Sequence, residues 1–234
     1  MLEKTIRWLG REFVALSCEG KAQLTPTEQA SELFRCCDEE LRRLGLSWDQ
    51  TVRTRLWARD SESRELGSLE RLKILSGGGR AASSSYIAPD HFHSDARIAL
   101  DLLAMRPSAP GLGKIVKAYE PPRRYIRYLT FDSIVFLSGM TARLPTLADQ
   151  VADILRDVSA GLSDAGSSWE NVVKICFFLH RSQKLEDLKE HFSRTVKAEI
   201  HQMEYTFVDG YSAEGKLIEI EVTAKIATES VLHT

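Results

Sequence analysis

The densest chemistry in this chain lies near its C-terminal end, where Glu219 and Glu221 alternate within Ile218-Glu219-Ile220-Glu221. Residues two apart on an extended strand share a face, so both carboxylates address one surface. A carboxylate beside a cleft can exchange a proton with water. The alternative is a pair of solvated strand glutamates. Gly139-Met140 closes an apolar run, and a glycine there lets backbone approach a ligand closely. Cys18 has no evident His/Asn partner and reads as a buried thiol rather than a nucleophile. His91 and His93 alternate in a loop without a recognisable third metal ligand, and His180, His191, His201 and His233 show no motif spacing. With neither a phosphate loop nor a dinucleotide fingerprint, no cofactor and no metal are expected.

These residues must be positioned by two copies of one unit. At a constant offset of 121 positions (137 − 16), Leu16-Ser17 falls on Leu137-Ser138, Thr25 on Thr146, Gln29 on Gln150 and Leu41 on Leu162. Gly45 falls on Gly166, Ser47-Trp48 on Ser168-Trp169 and Val52 on Val173, with no gap. A fixed period over strand-like and helix-like segments marks an internal duplication. In the first copy, Phe13–Ser17 reads as a strand, Thr25 or Thr27 caps a helix with Ala30, Leu33, Phe34, Cys37 and Leu41 on one face, and Gly45 ends it. Thr51–Trp57 alternates as a strand, Leu66–Leu75 is a helix, and Ser83–Ile87 and Ala96–Ala104 are strands. The second copy repeats the order with Ile134–Ser138, a helix capped by Thr146, Val172–Leu179, Leu185–Val196, Tyr205–Val208 and Lys216–Ala224. Each copy is a β-α-β-α-β-β unit, so the fold class is α+β, a mixed sheet with helices on one face and the other face covered by the second copy or another chain. Pro and Gly at Arg106–Gly111 and Pro121-Pro122 divide the chain into 1–106, a connection at 107–123, and 124–234.

Composition excludes several classes. The chain has 234 residues, 43% of them apolar, enough for two cores of about 100 residues each. A formal charge of −2 argues against a nucleic-acid partner. No apolar run reaches the ~20 residues of a membrane span and the start does not read as a signal peptide, so a cytoplasmic protein with no membrane partner is expected. Four cysteines without CxxC spacing argue against a zinc site or disulfide framework.

Val135-Phe136-Leu137-Ser138-Gly139, Gln150, Asp164-Ala165-Gly166, Trp169-Glu170-Asn171-Val172-Val173-Lys174 and Ile218-Glu219-Ile220-Glu221 with Ala224 resemble the Rid superfamily, the YjgF-like reactive-intermediate deaminases. The second copy carries the resemblance over about 100 residues; the first carries it mainly through the repeat. The resemblance implies a chorismate-mutase-like fold and a homo-oligomer, a trimer or a pseudo-trimeric arrangement of copies, with clefts between units. It implies a small-molecule substrate, because family members hydrolyse enamines and imines to ketones and ammonia. One tandem-copy relative group, the chorismatases, hydrolyses the enol ether of chorismate, and other relatives lack catalysis.

Carried onto this sequence, the family's water-activating glutamate is Glu219, its ligand-facing turn is Gly139-Met140, and its cleft tyrosine is Tyr125 unless that residue is an edge-strand aromatic; Phe178, from its place on a strand, reads as core or as an apolar wall of the cleft. Glu204 stands where deaminating members hold an arginine whose two-pronged guanidinium grips the substrate carboxylate. A glutamate there, fifteen positions before Glu219 (219 − 204), would repel such a substrate, which points to a neutral or cationic one, to Glu204 as an acid/base sharing one proton with Glu219, or to a degenerate site. Arg80 is the first copy's arginine, after Gly77-Gly78-Gly79, while the first copy has Ala99 opposite Glu219 and Cys18 opposite Gly139. One composite site holding Arg80 with Glu219 or Glu204 follows as an expectation. The leading expectation is therefore a cofactor-independent deaminase or hydrolase acting on a small enamine, imine or related conjugated nitrogenous metabolite. A chorismatase-like hydrolase or cyclisation enzyme, and a non-catalytic ligand-binding protein, stand beside it.

Overall fold

The computed structural model describes residues 1–227; His233 lies outside the described residues. The first unit runs β1 (Leu2–Trp8), β2 (Arg11–Glu19), α1 (Pro26–Arg43), β3 (Thr51–Ala58), α2 (Ser61–Ile74), β4 (Ala82–Ile87) and β5 (Ile98–Met105). The second runs β6 (Ile115–Ala118), β7 (Ile126–Phe131), β8 (Ile134–Leu137), β9 (Met140–Thr141), α3 (Leu147–Asp164), β10 (Val172–His180), α4 (Leu185–Thr195), β11 (Met203–Val208) and β12 (Ile218–Lys225). The sheets are ordered β1-β2-β5-β3-β4 and β11-β10-β12-β8-β7-β6, with β9 paired to β12. The architecture is α+β in two related units.

The repeat is visible in local chemistry. Thr25 accepts from the Glu28 N–H while the Glu28 carboxylate accepts from the Thr25 N–H, a capping box that starts α1. Thr146 accepts from the Asp149 N–H at the start of α3. Each helix ends before a glycine in the left-handed region, Gly45 at φ 69° and Gly166 at φ 70°. The shared glutamine is a structural clamp. Gln29 Oε1 accepts from the N–H groups of Arg97 and Ile98, and Gln150 Oε1 from that of Leu217, while each side-chain amide donates to a loop carbonyl before its own helix.

Helices α1 and α3 press their apolar faces on one side of each sheet: Leu33, Phe34 and Leu41 meet Leu16, Leu56 and Leu100, and Ile154, Leu155 and Val158 meet Leu137, Phe177 and Ile220. The other sheet faces cover each other. Phe13, Val52 and Met105 of the first unit pack on Leu129 and Phe136 of the second, and Trp57 and Tyr86 pack on Phe178 and Val208.

Four elements differ from expectation. Each unit has an additional leading strand, β1 or β7, joined to the next by a two-residue turn with both residues at positive φ, Leu9-Gly10 and Asp132-Ser133. Strand β6 forms inside residues 107–123, read from sequence as a connection, because pairing with β7 satisfies its backbone. Helix α2 begins at Ser61 rather than Leu66, capped by Asp60, whose carboxylate accepts from the Ser63 N–H.

Replacing Gln29 with leucine strips one buried N–H group, that of Ile98, and one half-buried, that of Arg97, of their acceptor. We expect Gln29→Leu to lower unfolding free energy by at least about 2 kcal/mol, read from urea denaturation. Loss of less than a few tenths would show the clamp to be dispensable.

Candidate active site

The two units enclose a cleft of about 360 Å³ between α2 and β4 of the first and β8, β9 and β12 of the second. Glu219 and Gly139 form its floor from the second unit, Tyr125 stands at its rim, and Arg64, Arg71 and Ser84 come from the first. Backbone contacts join the two sides where Gly139 N donates to Ser83 O (3.4 Å) and Ser83 N to Ser138 Oγ (3.4 Å).

Glycine is required at position 139. A Cβ there would stand 1.7 Å from Glu219 Oε1. Only the missing side chain lets the carboxylate lie against this turn.

Glu219 is buried and Tyr86 donates its hydroxyl hydrogen to Glu219 Oε1 at 3.0 Å. Burial, reinforced by the neighbouring Glu221 charge, pushes the Glu219 carboxyl up to about 7. Glu221 goes the other way. Burial alone would raise it, but Arg53 and Arg55 hold it down to about 2. Its partners are Arg53 Nη1 (2.9 Å), Arg55 Nη2 (2.7 Å) and Ser84 Oγ (2.6 Å). The strand pair anticipated from sequence is thus split into one carboxylate that titrates near neutrality and one permanent anion.

Two of the cleft's arginines come from α2. Arg64, Ser68 and Arg71, spaced i, i+4, i+7, share one helix face and line the cleft. Arg71 donates to Ser84 O (2.5 Å), and burial pulls its guanidinium down to about 10. Arg64 donates to Ser85 Oγ (3.2 Å), while its Nε and Ser68 Oγ are buried without a hydrogen-bond partner among the described residues. Arg123, Arg124 and Lys216 add three more cations against Glu65 and Glu219.

The other sequence candidates lie elsewhere. Strand register pairs Cys176 with Glu204 and Arg55 with Ser84, so the first unit's counterpart of Glu204 is Ser84, not Arg80. Arg80 does not line the cleft; its carbonyl accepts from Lys114. Glu204 is also outside it, 45% exposed and paired with Lys174 Nζ at 2.7 Å. The expected composite of Arg80 with Glu219 or Glu204 is therefore replaced by one of Arg64 and Arg71 with Glu219, and Glu204 is not placed to repel a substrate there. Met140 packs in the helix–sheet core, and Phe178 lies behind the site, stacked on Tyr86 with ring centroids 4.1 Å apart. The same register sets Ala99 opposite Trp57 where Glu219 stands opposite Phe178. His91 stacks on Trp57, and no metal-binding group forms among the described residues. Tyr86, Arg64 and Arg71 were missed. Starting α2 at Leu66 hides the Arg64–Ser68–Arg71 spacing, and nothing local in the Ser83–Ile87 strand marks Tyr86, whose hydroxyl meets a residue of the other unit.

Residues 116–226 match the family model described as Endoribonuclease L-PSP, the YjgF/Rid group. It is the second unit, residues 116–226, that carries this family match. Among solved structures, a YjgF/YER057c/UK114 protein from Mycobacterium tuberculosis is 22% identical over 48% of this chain and 99% of its own, with a TM-score of 0.44. A Rid protein from Yersinia pestis is 21% identical over 48% of this chain and 99% of its own, at 0.45. A chorismatase is 15% identical over 92% of this chain and 74% of its own, at 0.61, a likeness of fold that extends across both Rid-like units. Among curated proteins none matches the chain. No helix among the described residues is long and apolar enough to cross a membrane.

The Glu219 environment sets a pH signature. The folded carboxyl keeps its proton to about 7, against 4.5 ordinarily, so between those values the folded state binds more protons and stability falls as pH rises. The loss amounts to about 3 kcal/mol and is complete above the folded value. Glu221 acts in a separate window, contributing stability above its ordinary 4.5 that is lost as pH falls toward 2. We expect Glu219→Gln to flatten the difference in melting temperature between pH 5 and pH 8; parallel curves for both proteins would refute the raised titration.

Proposed function

We propose that the Glu219 cleft is a cofactor-independent active site for a small carboxylated, conjugated metabolite, an enamine or imine, hydrolysed by proton and water transfer. The observation that carries this reading is a carboxyl titrating near neutrality, held by Tyr86 and Gly139, in a cleft where five cations face two acids. A group whose proton balance lies near working pH is suited to general acid/base catalysis. Arg64 and Arg71 would bind the substrate carboxylate. Glu219 would deliver its proton to the electron-rich carbon of the enamine, giving an iminium. As carboxylate it would then take a proton from the water that attacks the iminium carbon. Collapse of the resulting carbinolamine releases ammonia and leaves the ketone.

An anionic rather than a neutral or cationic substrate is the reading favoured by the cleft's charge. The same charge supports a second reading, hydrolysis of an enol ether on a dicarboxylate, which the full-length likeness of fold to a chorismatase brings forward. Protonation of the enol ether carbon by Glu219 and attack of water on the oxocarbenium would release a keto acid and an alcohol.

The test is turnover of dehydroamino acids generated in situ and, separately, of chorismate, following ammonia and keto acid. Glu219→Gln is expected to lower kcat by at least about 100-fold. Arg71→Met is expected to act mainly on KM. Tyr86→Phe removes a donor that favours the charged carboxylate, so the rate profile's titration moves to higher pH. Unchanged kcat in Glu219→Gln would remove the acid/base role.

A further inference from the structure

On the far side of Glu221 from the cleft lies a larger trough of about 510 Å³, bounded by β1, β2 and β5 of the first unit and β10 and β12 of the second. Its wall is apolar, with Ile6, Trp8, Phe13 and Leu103 facing into it. Four cations line it, Lys4, Arg53, Arg55 and Lys174, against two acids, Asp101 and Glu221. Counting Glu204, which pairs with Lys174 at 2.7 Å, one positive charge remains. Asp101 is engaged by Ser17 Oγ (2.7 Å) and Trp57 Nε1 (2.7 Å). Arg55 spends its Nε and Nη2 on Glu221 and Cys176 and sits with its guanidinium over the Phe178 ring at 5.1 Å, while its Nη1 has no hydrogen-bond partner among the described residues.

The trough and the Glu219 cleft are separate compartments. Glu221 is the partition: Oε1 accepts from Ser84 and Tyr86 on the cleft side, and Oε2 accepts from Arg55 on the trough side. Cavities of this size with apolar walls and a few convergent polar groups are typical of small-molecule sites. A guanidinium edge left free beside an aliphatic and aromatic wall suits a ligand with an apolar body and one carboxylate.

We propose that this trough is a second ligand site, taking a small aromatic or aliphatic monocarboxylate whose carboxylate is held by Arg55 and Lys174 and whose body lies against Trp8, Phe13 and Leu103. It stands independently of the reaction assigned to the Glu219 cleft.

The experiment is calorimetric titration of the full chain with indole-3-propionate and with its neutral amide. The acid is expected to bind and the amide to bind at least tenfold more weakly. Arg55→Met is expected to weaken the acid at least tenfold. Because Arg55 also holds Glu221, a second variant leaves that pair intact: Ala15→Trp fills the trough and is expected to abolish binding with an unchanged melting temperature. Arg71→Met, in the other cleft, is expected to leave binding as it was. Equal affinity for acid and amide, no binding at millimolar ligand, or binding that survives Ala15→Trp but fails in Arg71→Met would each overturn the proposal. So would sedimentation showing an oligomer that Leu2→Asp separates and that excludes the ligand, since the trough would then be an interface between copies.

Discussion

A carboxylate buried between two arginines from the other half of the chain is the constraint around which the molecule is arranged. Glu221 is 1% exposed and meets Arg53, Arg55 and Ser84 of the first unit. Taking such an ion out of water costs several kcal/mol unless opposite charge and hydrogen bonds replace its hydration. Here the replacement is complete only when the two sheets stand in one register, so the ion pair selects a relative placement that apolar contacts such as Phe13 on Phe136 would tolerate with some slippage. Its second effect is electrostatic. Burial first, and then the permanent anion two residues along the same strand face, oppose a charge on Glu219, so the structure that aligns the units also helps push the Glu219 carboxyl up to about 7.

The same anion organises what surrounds it into two compartments of different character. On the cleft side, α2 turns Arg64, Ser68 and Arg71 inward, a face that a core-packing helix would fill with leucine. The leucines at 69 and 72 are instead exposed. This inversion costs α2 its apolar anchorage and leaves buried donors without partners, a local conflict of the kind found at functional rather than purely structural sites. On the trough side the wall is largely apolar, with Lys4, Arg53, Arg55 and Lys174 as its cations. Tyr86 links the two, touching both Glu219 and Glu221 through one hydroxyl.

The fold was largely legible because the repeat constrains it. Thr25 and Thr146, Gly45 and Gly166, and the alternating run at Val172 each have a local physical cause that works without tertiary context. Strands β1 and β7 were hidden because their faces are mixed and their turns, Leu9-Gly10 and Asp132-Ser133, lack the usual Asn-Gly form. The site was legible only where chemistry follows the strand period, at Glu219, and where a turn needs glycine, at Gly139. Arg80 follows three glycines just before a small-residue strand and so resembles the expected position in sequence, whereas the register of β3 with β4 sets Ser84 at that point. Tyr86 could not have been found locally: its hydroxyl matters because Glu219 belongs to a strand 133 residues away.

Duplication within one chain explains why the two units have diverged in complementary ways. In an assembly of identical units every copy must carry both halves of a shared cleft, because each presents both faces. A covalent tandem removes that requirement. The first unit has Ala99 in place of the glutamate and Cys18 in place of the glycine, so it has no counterpart of the Glu219–Gly139 contact, and it contributes the face carrying Arg64, Arg71, Ser84 and Tyr86. The second supplies the carboxylate and the turn. With the halves divided, the carboxylate of one unit and the arginines of the other are no longer confined to a geometry repeated at every interface. The first unit's equivalent of Cys176, Arg55, serves as the buried counter-ion of Glu221, so at this place too the two units hold different residues for different tasks.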